Sequence, residues 1–135
     1  MSTENVNLVR RAYEAYARGD LATVFALLDD KLTVRQTPLL PWGGERHGHE
    51  GARTFFQQLA AHTSAQPVPS AYIDAGDDVA VIGRLKGHAR STGRPIDMDI
   101  VHVWTVRDGR LAAFSAYIDT PAMLTALGKS GGEGA

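Results

Sequence analysis

One histidine stands where chemistry is possible. Residues of Pro95–Arg107 (PIDMDIVHVWTVR) alternate between two faces, the pattern of a strand. Ile96, Met98, Ile100, His102, Trp104 and Val106 share one face; Asp97, Asp99, Val101, Val103 and Thr105 share the other. The first face is apolar except for His102, its only titratable member, and belongs against a core. Two readings of that imidazole are open. It is either a neutral core histidine bonded to a neighbour, or a general acid/base or polar anchor for a ligand. A cavity beside it favours the second, because pockets combine apolar walls with few polar groups. What it faces depends on the register of the following strand, Arg110–Asp119. A two-residue Asp108-Gly109 loop sets His102 beside Ser115 and turns Tyr117 inward. A three-residue loop with a glycine bulge sets it beside Phe114, in a row with Ala112, Ala116 and Ile118. The second aligns apolar with apolar and is the expectation.

Other side chains offer weaker chemistry. Trp42, Gly43 and Gly44 lie in a loop that can close a pocket mouth, with Trp42 as lid or stacking surface, or simply as cover for the sheet end. Trp104 is pocket wall or plain core. Tyr13 and Tyr16 lie on the buried side of the first helix; Tyr16 either reaches the pocket or is a hydrogen-bonded core tyrosine. His47, His49 and Glu50 (H-x-H-E) have the chemistry of a zinc or iron site, but no third ligand is evident, so no metal is expected. Arg84, Lys86, His88 and Arg90 alternate along a strand and read as a solvated face.

The elements that position these residues follow from periodicity and punctuation. Leu8, Val9, Ala12, Tyr13 and Tyr16 predict a helix over 4–18, with Ser2 or Thr3 as cap and Gly19 as its end. Asp20 caps a second helix, Leu21–Leu28. Lys31–Thr37 alternates as a strand, and Pro38, Pro41, Gly43, Gly44 and Gly48 make the next stretch a loop. A third helix spans His49–His62 with Ala52, Phe55, Phe56 and Leu59 buried. Strands follow at Val68–Ala75, Val79–Arg90, Pro95–Arg107 and Arg110–Asp119, each joined by a Gly- or Asp-bearing turn. Asp119 or Thr120 caps a last short helix to Leu127, with Pro121 in its first turn. Helices first and an antiparallel meander after them predict an α+β fold with helices on one face of a curved sheet.

Composition narrows the function. With 135 residues, 1–128 are expected to form a single domain and 129–135 (KSGGEGA) a disordered tail. A net charge of −1 supplies no basic excess for nucleic acid. The chain has no cysteine, which removes disulfides, thiolate nucleophiles and Cys-based zinc sites and suits a reducing, cytoplasmic setting. No signal peptide or membrane-spanning run is visible.

Three segments carry a resemblance: VRRAYEAYARGDLATVFALLDD (9–30), PWGGERHGHEGARTFF (41–56) and HVWTVRDGRLAAFSAYIDT (102–120). In these the chain resembles the SnoaL-like branch of the nuclear transport factor 2-like superfamily, which shares the ketosteroid isomerase cone. The resemblance implies a bent sheet wrapped around helices, with a central apolar pocket opening at the wide end. It also implies homodimers through the outer sheet face, here with Val101, Val103 and Tyr117. The isomerase proton-shuttling aspartate falls on Gln36, its oxyanion tyrosine on Ala12 and its assisting aspartate on His102. The catalytic aspartate of the SnoaL-like cyclases falls on Ala116, while their partner histidine matches His102. Limonene epoxide hydrolase-like enzymes need an inward Asp-Arg-Asp relay, whereas Asp97 and Asp99 belong to the outward row.

These readings together imply a protein that binds a small, mostly apolar organic molecule and performs cofactor-independent acid/base chemistry of cyclase, isomerase, dehydratase or hydrolase type. His102 is the expected catalytic group. Tyr16 and Gln36 orient the substrate, and Trp42, Phe56, Met98, Trp104, Phe114 and Ala116 shape the walls. A non-catalytic binding protein is the alternative, supported by the missing acids; a structural dimerisation domain is a third.

Overall fold

A computed structural model describes residues 2–129. The expected tail therefore lies, from residue 130 onward, outside the described residues. Helix α1 (Ser2–Ala17) buries Leu8, Val9, Ala12, Tyr13 and Ala15. It starts early enough to contain Ser2 and Thr3, the residues expected as its caps. Gly19 ends it at φ 75°, which lets its N–H reach Tyr16 O (3.0 Å) and the Asp20 N–H reach Ala15 O (2.9 Å). This pair of bonds needs a left-handed residue, which glycine supplies at no steric cost. The Asp20 carboxylate then accepts from Thr23 N (3.1 Å) and Thr23 Oγ1 (2.6 Å), opening helix α2 (Leu21–Leu27).

Strand β1 (Leu28–Gln36) begins three residues before Lys31, taking Leu28 out of the expected helix. Leu28 finds a ladder partner in Leu111, which rewards extension there. The expected loop contains a short edge strand, β2 (Gly44–His47), paired antiparallel to β1 from Thr33↔His47 to Gln36↔Gly44. Its sequence, GERH, has no apolar residue to announce it; its ladder partner makes it a strand. Helix α3 (Gly48–His62) follows, then β3 (Gln66–Ala75), β4 (Asp78–His88), β5 (Pro95–Arg107), β6 (Arg110–Ile118) and α4 (Thr120–Ala126). Strand β4 stops two residues short of Arg90, with Ala89 making only an isolated bridge to Thr63. Asp119 caps α4 by accepting from Ala122 N (3.1 Å).

The six strands form one curved, unclosed sheet in the order β2-β1-β6-β5-β4-β3. Every neighbouring pair is antiparallel except β1–β6, which is parallel. Helix α3 packs on β1 and β2, and α1 on β3 and β4. All six members of the His102 row on β5 are buried, whereas Asp97 and Asp99 are exposed and share Arg84 (2.7 and 2.8 Å). On that outer face Val101 and Val103 are half-buried and Tyr117 is 60% exposed. Among the described residues no helix is long and apolar enough to cross a membrane.

The β5–β6 connection corrects one expectation. Asp108 (φ 53°) and Gly109 (φ 73°) form a two-residue turn, with Arg107 paired to Arg110 and Val106 to Leu111. Positive φ at both central positions is the geometry that matches the twist of a hairpin. A bulge then inserts Ala112, so that Thr105 pairs with Ala113, Trp104 with Phe114 and His102 with Ala116. His102 therefore stands beside Ala116 and not beside Phe114. The expected inward row survives, with Ala112, Phe114 and Ala116 buried and Ile118 half-buried. The bulge supplies the one-residue slip that the longer loop was expected to supply, and returns the apolar side chains to the core.

Gly43 holds the β1–β2 loop closed: a Cβ there would lie 1.8 Å from the Thr37 carbonyl oxygen. The backbone would have to shift, carrying Trp42 with it. Gly43→Ala is expected to destabilise the protein by about 2 kcal/mol or more, the size associated with forced overpacking. Urea denaturation followed by tryptophan fluorescence checks this; a loss within about 0.5 kcal/mol, the range of a neutral surface change, would contradict it.

Candidate functional site

Helices α1 and α3 do not fill the concave face of the sheet. They leave a cavity of about 90 Å³ between Tyr13, Tyr16, Phe55, Phe56 and Leu59 on the helical side and Val34, Gln36, Trp104, Phe114 and Ala116 on the sheet. By the same measure one water needs roughly 10–15 Å³, so the space exceeds an ordinary packing defect. No Asp, Glu, Lys or Arg is among the described residues that line it. Its polar groups are two tyrosines, two tryptophans, Gln36 and His102.

His102 is buried, with its ring edge-on to Phe114 (centroids 5.0 Å apart). Its Nδ1 lies 2.5 Å from the Tyr13 hydroxyl, which also accepts from Trp104 Nε1 at 2.8 Å. Trp104 donates only, so Tyr13 accepts from it. We assign the Tyr13 proton to Nδ1, the tautomer in which the hydroxyl donates once and accepts once. In the neutral ring the remaining nitrogen, Nε2, then carries the hydrogen, and it has no acceptor among the described residues. Desolvation by burial pulls the His102 pKa down to about 4, so the ring is neutral at pH 7. The same cause pushes the Tyr13 hydroxyl far above its usual range, with the Trp104 bond opposing it. Tyr13 therefore stays protonated as a donor.

The second polar group is built by the β1–β2 loop. Trp42 is 1% exposed and donates from Nε1 to Gln36 Oε1 at 2.9 Å. With its oxygen held, the Gln36 amide keeps its N–H donors for the cavity. Trp42 is thus a fixed wall, its ring 6.0 Å from His62, and not the lid that its loop suggested. Both positions where the resemblance puts an acid line the cavity, and they carry an amide (Gln36) and a methyl group (Ala116).

The structure brings His102 together with Tyr16, Gln36, Trp42, Phe56, Trp104, Phe114 and Ala116 around this one space. Met98 does not reach it. It is buried on the His102 row but is not among the residues that line the cavity, although its ladder partner Leu85 is. Tyr13 is the residue that sequence reasoning missed. It shares the buried stripe with Tyr16, and the inherited tyrosine position fell one residue short of it, on Ala12. The hydroxyl of Tyr16 makes no hydrogen bond among the described residues, and its ring packs on Phe56 (5.6 Å). His47 and His49 turn away: His47 pairs with Glu45 (3.2 Å), and His49 lies 3.1 Å from Leu28 O. No three described His, Cys, Asp or Glu residues are placed to hold a metal.

Curved sheet, helical cover and the apolar cavity between them define the cone-shaped α+β class of the nuclear transport factor 2-like superfamily. Within it the chain belongs to the SnoaL-like domain family, which it matches over residues 9–114. An NTF2-like protein of unknown function from Burkholderia pseudomallei is 30% identical, over 92% of this chain and 97% of that one, with a TM-score of 0.85. An NTF2-like protein from Burkholderia xenovorans is 26% identical, over 94% of this chain and 98% of that one, with a TM-score of 0.85. TerC, co-crystallized with polyporic acid, shares the fold at 22% identity, over 93% and 99%, with a TM-score of 0.84. No curated protein matches the chain.

Burial of His102 couples stability to pH. The unfolded chain takes up a proton near pH 6.5, whereas the native ring does so only near 4. The native state is thus at no disadvantage above pH 6.5 and loses stability as pH falls from 6.5 towards 4. Relative to His102→Phe, the wild type is expected to lose on the order of 2–3 kcal/mol between pH 7 and 4.5. Urea denaturation of both proteins at the two pH values measures the difference, in which the carboxylates common to both cancel. Parallel losses would show that the ring is not held neutral.

Proposed function

We propose that this protein binds a small, flat, uncharged organic molecule bearing a carbonyl or similar acceptor oxygen, and that His102 catalyses acid/base chemistry on it without a cofactor. One observation carries the reading: a cavity with apolar walls and no charged side chain is lined by two buried polar groups, His102 and Gln36, each with hydrogen-bonding capacity left after its bonds to Tyr13 and Trp42. A neutral imidazole that already accepts from Tyr13 is a donor suited to an oxygen that gains negative charge, as in enolisation, and a dry surround strengthens that bond. Tyr13 and Trp104 act as positioning residues, fixing the tautomer and the ring. Gln36 and Tyr16 orient the ligand, with Phe56, Phe114 and Trp104 against its faces. The absence of a carboxylate leaves any proton abstraction to the substrate's own groups or to water. That same absence favours the second reading, a protein that sequesters its ligand without altering it.

The fold neighbour crystallised with polyporic acid makes that compound a first probe, beside hydroxylated naphthoquinones and anthraquinones. Binding is expected to quench tryptophan fluorescence, since Trp42 and Trp104 both line the cavity. For a compound that turns over, His102→Ala is expected to lower kcat by about 100-fold or more while its Kd changes little, the signature of an interaction made mainly in the transition state. Binding without turnover across the panel selects the sequestering role. No binding of any member, in a cavity shown to be folded and empty, removes both readings.

A further inference from the structure

A second space lies outside the sheet, directly behind the cavity. It is a groove of about 520 Å³ framed by Arg35, Thr37, Glu45, Ser115, Tyr117 and Thr120. Gln36, Ala116 and Ile118 border both the groove and the cavity. The shared border has a cause in the strand pairing. The parallel ladder between β1 and β6 ends at Arg35↔Ser115, while β6 continues through Ala116, Tyr117 and Ile118 on its other ladder, to Ile100 of β5. Beyond Gln36 the chain meets Pro38, which has no N–H to extend the ladder, and the segment turns away. Two neighbouring strands therefore part at the point where inward-facing side chains line the cavity.

We infer that this parting is the passage into the cavity, and that cavity and groove form one continuous site for a ligand apolar at one end and polar but uncharged at the other. The inference rests on the ligand-binding reading above and extends it. About 90 Å³ is small beside the roughly 300–1,000 Å³ typical of small-molecule sites, so a ligand of ordinary size must extend out of the cavity. The groove is suited to what extends. Thr37, Ser115, Tyr117 and Thr120 supply hydroxyls, and its two charges neutralise each other, with Arg35 Nε 3.0 Å from Glu45 Oε1. Gln36 stands at the junction with its oxygen held by Trp42, so its amide hydrogens meet the ligand where ring becomes arm.

The absence of cysteine gives a direct test that needs no knowledge of the natural ligand. Ala52→Cys places a single thiol on the cavity wall, at a residue that does not border the groove. Its labelling by N-ethylmaleimide and by a methoxy-triethylene-glycol maleimide is followed by mass spectrometry on the folded protein in its solution oligomeric state. The longer reagent is a ring with an uncharged polar arm, and is expected to react within about threefold of the shorter one. Ile118→Trp is expected to slow both by about tenfold or more and Ile118→Ala to speed both, whereas Leu59→Ala, which removes bulk on the helical side without filling the cavity, leaves both within about twofold. Unfolding as the route would make every destabilising variant faster; only a passage is slowed by the larger residue and opened by the smaller. Rates governed by Leu59, reaction of the short reagent alone, or reaction of neither overturns the proposal. A protein that still binds the quinone probes after such a result keeps the proposed function and loses the passage.

Discussion

A polar ring can sit in an apolar interior only if its hydrogen bonds are met there, and at His102 that demand is met from one side. The Trp104 N–H donates to Tyr13, and the Tyr13 hydroxyl is bonded to Nδ1. Each group in this chain is buried, so each bond is worth more than it would be in water, and each would be costly to leave open. The chain also ties α1 to β5 across the interior, which fixes the distance between helix and sheet at the cavity. Nε2 is left over.

The rest of the cavity is consistent with that neutrality. A nearby carboxylate would raise the imidazole pKa and turn the ring into a cation; a lysine or arginine would depress it further and draw anions. Neither occurs among the lining residues. With Gln36 and Ala116 on its wall, the cavity carries an amide and a methyl group and no carboxylate. The same two residues mark the seam where β1 and β6 separate.

How much of this was legible beforehand depends on the range of the interaction concerned. The two-face alternation of Pro95–Arg107 identifies His102 as the lone titratable group on a buried row, and the structure places the row as the alternation requires. Asp20 and Asp119 cap their helices through bonds to residues three positions on, a relation contained in a few residues. The strand β2 escaped notice because four residues without apolar periodicity become a strand only beside a partner. The bulge at Ala112 escaped because a two-residue turn plus a bulge and a three-residue turn send the same side chains inward, and composition cannot distinguish them.

The amino-acid sequence by itself determined the backbone preferences, the order of elements, the inward row on β5 and the limits on chemistry set by having no cysteine. These are matters of near neighbours and of side-chain type. The tertiary structure alone decided that Tyr13, and not Tyr16, meets His102, a bond between residues 89 apart in the chain. It alone decided that Met98 is core, that Trp42 is a wall, and that a void exists. A void is what remains after packing, so no residue encodes it; it follows from how helices of given bulk come to rest on a sheet of given curvature.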